Sequence, residues 1–309
     1  MKNKIFLSIL IIITINYYLQ AQQLPLFSQY MLNNEFMINP AIAGSVDYMP
    51  ITLSARQQWV GIKDAPKTVV LSAHSIVNKK GNMGIGGCLF SDQFGPVRRT
   101  GLMAAYSHHF NITSRNKLAL GLSALGFQQF YDKNELLFSD QNEPVLNADN
   151  FSTVIPDVNF GAFYYNQGKY WIGISVSQLL QREINVGLQK EGNKMVRHYY
   201  LTGSYTFNLN KYIKHVDLEP SVVLRGSELF PIQADINMKG YYKKNYWLGI
   251  TYRTKDALVV TIGTKYQNYY IGYSYDYTFG NIMNYSSGTH EIRLGINIGE
   301  GQNKGSSLL

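Results

Sequence analysis

Six charged residues stand at one parity of segments that alternate between apolar and polar side chains: Arg56, Arg253, Lys265, Asp276, Glu291 and Arg293. On an extended strand, residues two apart share a face. Charges of both signs on one wall can do two things. They can pair across neighbouring strands and fill an interior, or they can form a docking surface for an inserted segment or a passing chain. The pairing network is the favoured reading. Catalytic chemistry finds no comparable pattern. The six histidines, His74, His108, His109, His198, His215 and His290, are scattered. His108 and His109 are adjacent on a strand, so their rings face opposite ways and cannot chelate one ion. No zinc spacing appears. Gly81, Gly84, Gly86 and Gly87 miss the dinucleotide pattern and precede no helix. No Gly-x-Ser-x-Gly elbow is present. Asp140-Gln141-Asn142-Glu143 lacks the glycine of a calcium loop and reads as a solvated link. The sequence therefore implies no enzyme, no metal and no cofactor.

The elements that must position those charges are strands. In Tyr269-Tyr270-Ile271-Gly272-Tyr273-Ser274-Tyr275-Asp276-Tyr277, one parity is Tyr, Ile, Tyr, Tyr, Tyr and the other is Tyr, Gly, Ser, Asp. One face is oily and aromatic, the other small and polar. The same alternation recurs near Ile51–Gln58, Lys67–Ser75, Met83–Ser91, Arg98–Phe110, Lys117–Tyr131, Asp157–Tyr165, Tyr170–Gln178, Arg197–Phe207, Val216–Arg225, Ile232–Tyr242, Tyr246–Arg253, Leu258–Tyr266 and Thr289–Ile298. About fourteen antiparallel strands, an even number, fit a transmembrane outer-membrane β-barrel with apolar residues toward lipid and polar ones toward the lumen. Asn-, Gly- and Lys-rich short turns (Asn166–Lys169, Lys243–Asn245, Gln267–Asn268) contrast with the longer links Asp132–Pro156, Leu179–Val196 and Phe279–Gly288. Such barrels have short periplasmic turns and long external loops. Closing the cylinder brings the last strand beside the first, and Arg56 beside the charges of the final strands.

The start of the chain reads as a secretory leader, residues 1–21: Lys2 and Lys4, then an apolar run from Phe6 to Ile15. That run is shorter than the ~20 residues needed to span a bilayer. Residues 22–50 form a semi-apolar segment with Asn-Pro and Ala-Gly turn signals, able to fold back as a plug. Residues 51–299 form the barrel, and 300–309 a fraying tail. The sole cysteine, Cys88, excludes an internal disulfide. The formal charge of +8 is spread out rather than clustered, which argues against nucleic-acid binding. The 24 tyrosines suit a membrane interface, with apolar rings and wet hydroxyls.

Four blocks carry a resemblance. The first is Phe27-Ser28-Gln29-Tyr30 followed by Asn39-Pro40-Ala41 and Ala43-Gly44. The second is Arg56-Gln57-Gln58-Trp59-Val60-Gly61 with Ala65-Pro66-Lys67-Thr68. The third is Pro156-Asp157-Val158-Asn159-Phe160-Gly161. The fourth is Gly272-Tyr273-Ser274-Tyr275-Asp276 ahead of Ser287–Ile292. In this order they resemble the PorP/SprF family of type IX secretion system outer-membrane proteins of the Bacteroidota. The resemblance implies a non-enzymatic barrel in the outer membrane of a Gram-negative bacterium. It implies that such a barrel supports export or surface anchoring of a large secreted protein, of adhesin or gliding type, through that protein's C-terminal sorting domain. It implies partners in a periplasmic ring and among peptidoglycan-associated proteins. Phe27, Ser28, Gln29, Tyr30, Asn39, Pro40 and Trp59 are then the candidate partner contacts, although Asn39-Pro40 also reads as a turn and Trp59 as part of an aromatic girdle. A passive porin for small solutes is the alternative.

Overall fold

The computed structural model describes residues 34–78, 80–132, 151–183, 194–229 and 231–299. The expected leader, the motif Phe27–Tyr30 and the expected tail lie outside the described residues. Alternation of side chains produces a long antiparallel meander: β1 (Met49–Gln57), β2 (Lys67–Ile76), β3 (Met83–Phe94), β4 (Val97–Asn111), β5 (Lys117–Tyr131), β6 (Phe151–Asn166), β7 (Tyr170–Ser177), β8 (His198–Tyr205), β9 (Phe207–Asn208), β10 (Val216–Ser227), β11 (Gln233–Tyr242), β12 (Tyr246–Arg253), β13 (Ala257–Tyr266), β14 (Tyr269–Thr278) and β15 (Thr289–Ile298). β8 and β9 both pair with β10 and form one stave interrupted at Thr206. β1 pairs with β15 from Met49↔Ile298 to Gln57↔His290, which closes a barrel of fourteen staves. Closure leaves no edge strand in the barrel wall, the condition for strands to cross a bilayer. No described helix is long and apolar enough to cross a membrane.

Exposed side chains mark the outer face. Leu53, Leu71, Leu89, Leu102, Leu122, Ile172, Ile174, Leu248, Ile250, Ile262, Ile271 and Ile292 all point outward and are exposed. On a water-facing surface this continuous apolar belt would be a large liability; toward hydrocarbon it is required.

Two boundaries differ from the sequence expectation. β6 begins at Phe151, not near Asp157, and pairs with β5 from Tyr131↔Phe151 onward. Proline lacks a ladder donor, so Pro156 reads as a link in sequence. Here β6 meets β7 only from Phe160 to Asn166, so Pro156 lies where one side of the strand is an edge, a position that tolerates it. At the end that carries the long links, β3 and β4 are joined by Gly95-Pro96 alone. Gly95 supplies the positive φ of 52° that this tight turn needs.

The inner face is not uniformly polar. On β2–β8 it is mixed: Val70, Cys88, Phe90, Met103, Leu125, Phe127, Phe163, Tyr165 and Trp171 form one buried cluster with Phe36, Met37, Ile38, Ala41, Ile42 and Ala43, among buried polar residues such as Ser72, His74, Ser107, His109, Asn159 and Ser175. The segment before β1 thus lies inside the barrel, in two short 3-10 turns, Glu35–Met37 and Pro40–Ile42. On β11–β15 the inner face carries buried charge, Asp235, Lys239, Arg253, Asp276 and Glu291, beside Tyr241, Trp247, Val259 and Tyr270.

Candidate functional site: a seated segment and an ionic chain

Two structures occupy the interior, one against each half of the wall. The first is residues 34–48. Chain folded inside a barrel must satisfy its backbone groups without water, and the inward small and polar residues of the wall do this. Ala43 O accepts from Ser107 Oγ at 2.6 Å and contacts His109 Nε2 at 2.8 Å. The other ring nitrogen of His109 meets Tyr165 Oη at 2.9 Å. Gly44 N donates to His74 Nδ1 at 3.2 Å, and Ser175 Oγ donates to Ile38 O at 2.6 Å. Asn34 Nδ2 donates to Ser72 Oγ at 2.7 Å. Asn39 caps the second turn through Ala41 N at 3.0 Å, while its Nδ2 donates to the wall carbonyls of Ala162 at 3.1 Å and Ile174 at 3.4 Å. Pro40 opens that turn, where its missing N–H costs nothing. Asn39 and Pro40 are therefore interior residues that shape and hold the segment.

The second structure is a chain of alternating charges near the end that carries the long links. Arg225 meets Asp235 at 3.3 Å, Asp235 meets Arg253 at 3.3 Å, and Arg253 meets Asp276 at 3.2 Å. Asp276 meets Arg56 at 2.6 Å, and Arg56 meets Glu291 at 3.1 Å. Arg253 also reaches the half-exposed Asp256 at 3.3 Å. These six side chains come from β10, β11, β12, β14, β1 and β15. Each inner member is flanked by opposite charge, the arrangement that offsets the cost of burying ions.

Of the six charges named from sequence, Arg56, Arg253, Asp276 and Glu291 meet here. Lys265 and Arg293 share the inward face but not the height. Lys265 pairs in register with Tyr270, near the short-turn end. Arg293 lies 5.0 Å over the Tyr270 ring. Parity sets the face a side chain takes; only register sets its level along the barrel. Asp235 and Arg225 belong to the chain and were not singled out in sequence. The available signal was Asp235's parity with Asn237 and Lys239, on a strand outside the final group.

Trp59 sits on the rim loop 58–66, half-buried, with φ of 44°. Its backbone N–H donates to Thr289 Oγ1 at 3.2 Å, and Val60 exchanges backbone bonds with Gly288 and Ser287 at 2.8 and 2.7 Å. The loop is strapped to the neighbouring link 279–288.

Residues 19–296 match the profile described as type IX secretion system membrane protein PorP/SprF. The chain belongs to that family. No curated protein matches it by sequence. Its barrel resembles solved structures at the level of fold. The Pseudomonas putida toluene transporter TodX aligns with a TM-score of 0.51 at 10% identity, over 87% of this chain and 95% of that one. The CymD monoaromatic hydrocarbon channel aligns with a TM-score of 0.50 at 11% identity, over 86% of this chain and 91% of that one. The PorP/SprF chain is thus an outer-membrane type barrel, and its ionic chain and seated segment are features of its own residues.

Proposed function

We propose that this PorP/SprF barrel is non-enzymatic and supports export or surface anchoring of one large secreted protein through that protein's C-terminal sorting domain. It would act beside periplasmic ring and peptidoglycan-associated components of the type IX system. The observation that carries this reading is an occupied interior in a chain of this family. A solute channel needs an open lumen, whereas here the wall of β2–β8 is taken up by residues 34–48 and the wall of β11–β15 by paired side chains. A barrel so filled is suited to presenting its rims rather than to passing small molecules. On this reading Trp59 and the Phe27–Tyr30 motif are the contact elements, and Asn39 and Pro40 hold the segment between that motif and β1.

The test is deletion of the gene in its host, followed by proteomics of the cell surface and medium. Loss of one large protein bearing a sorting domain, with other outer-membrane proteins unchanged, is the expected result. Co-purification of that protein with the tagged barrel adds direct contact. An unchanged surface proteome would overturn the reading.

A further inference from the structure

The outer wall carries a depression that the secretion role does not use. A groove of about 670 Å³ runs obliquely across β10–β14, almost wholly apolar, with Tyr242, Tyr246, Leu248, Ile262 and Tyr273 along its sides. Gly240 faces outward in this row, and its missing side chain opens the floor; a Cβ there would meet only Leu248 O, at 3.9 Å. The groove starts at the short-turn end and rises to mid-wall. Neighbouring strands lie about 4.8 Å apart, so a path crossing five strands is on the order of 19 Å long, the reach of one extended acyl chain.

Its mouth is basic. Lys243 and Lys244 stand in the turn between Tyr242 and Tyr246, both exposed. Lys243 N donates to His215 O at 2.8 Å, which brings the adjacent Lys214 to the same place. Lys243 Nζ lies 5.4 Å over the Tyr242 ring. Both lysines hold left-handed backbone, φ 52° and 58°. A turn of this kind normally takes Asn or Gly, because a side chain on left-handed backbone is strained. The nearest acids, Asp217 and Glu219, share the inward parity of β10 and do not face the groove.

We propose that this groove binds one anionic phospholipid, with an acyl chain along Gly240 and its phosphate held by Lys243 and Lys244. Short turns of such barrels face the periplasm, so the lipid comes from the inner leaflet, where phospholipid rather than lipopolysaccharide resides. The proposal rests on the barrel's insertion in the outer membrane and is independent of its secretion role.

Native mass spectrometry of the detergent-purified full-length barrel tests it, with phosphatidylglycerol, phosphatidylcholine and lipopolysaccharide titrated separately. One phosphatidylglycerol should bind at least tenfold more tightly than phosphatidylcholine. The double variant Lys243→Glu/Lys244→Glu should lose that preference. Gly240→Phe, which fills the floor, should lower the affinity for phosphatidylglycerol by a similar factor. Lys169→Glu, on another turn of the same end, should change nothing. Equal binding of both phospholipids by the unaltered protein, or preference for lipopolysaccharide, would overturn the proposal. That comparison holds even if a variant fails to fold.

Discussion

The side-chain amide of Asn39 occupies the space that any side chain on Gly161 would need: a Cβ built there collides with Asn39 Oδ1. The wall and the inserted segment are fitted to each other at this point. Asn39 gives its two amide hydrogens to Ala162 O and Ile174 O, and its oxygen receives Ala41 N–H. An aspartate would keep the cap but face two carbonyl oxygens with a negative charge. Leaving such buried groups unsatisfied costs about 1–3 kcal/mol, and more when a charge is involved. Asn39→Asp should therefore unseat residues 34–48 in a folded barrel. Limited proteolysis reads this directly, and cleavage within 34–48 should rise at least tenfold while the staves stay protected. Equal protection of both proteins would show that the amide holds nothing.

Glycine against backbone predicts a conductance phenotype. On β5, a Cβ at Gly121 would strike the backbone of Ala41 and Pro40. Gly121→Val cannot be absorbed by rotating a side chain, because the obstacle is main chain. The unaltered barrel should show no large steady conductance in planar bilayers, and Gly121→Val should acquire intermittent openings as the segment is displaced. A large steady conductance of the unaltered protein would favour the porin reading.

How much of this was legible in the sequence follows from what each feature depends on. Strand parity is local, so the alternation at Tyr269–Tyr277 and the outward turn of Ile172 and Ile174 could be read residue by residue. The apolar cluster on the inner wall of β2–β8 could not. Leu125 and Phe127 share parity with Ser123 and Gln129 and look like misplaced lumen residues until the buried cluster that also holds Phe36 and Ile38 is seen. The charge chain was half legible for the same reason. Arg56 and Glu291 become opposed once the first and last strands are joined, as the register Arg56↔Glu291 now states. The height that separates Lys265 from that group depends on the register of every stave between.

Arg56 holds the two acids at the seam, Asp276 at 2.6 Å and Glu291 at 3.1 Å. Removing one partner of a buried ion pair costs about 3–5 kcal/mol, whereas replacing the whole group by apolar residues is often neutral. Arg56→Met should accordingly destabilise the barrel by about that amount. The triple replacement Arg56→Met, Asp276→Leu, Glu291→Leu should recover most of it. Equilibrium unfolding in urea, followed by tryptophan fluorescence, compares them. A triple variant no more stable than the single one would mean that the cluster does not act as a unit.

Trp59 separates a contact role from a packing role. Its φ of 44° lies in the left-handed region, where a non-glycine residue costs about 1–2 kcal/mol. Strain of this kind accumulates at functional positions. Trp59→Gly removes the ring but relieves the backbone, and the loop keeps its straps, since the bonds from Trp59 N and through Val60 are main-chain bonds. Barrel stability and the level of inserted protein should therefore stay within the range of the unaltered chain. Surface display of the cognate secreted protein should fall at least fivefold, with Trp59→Phe in between. If Trp59→Gly lowers stability and display together, the ring is a packing element of the rim. If it lowers neither, the contact lies elsewhere on the barrel.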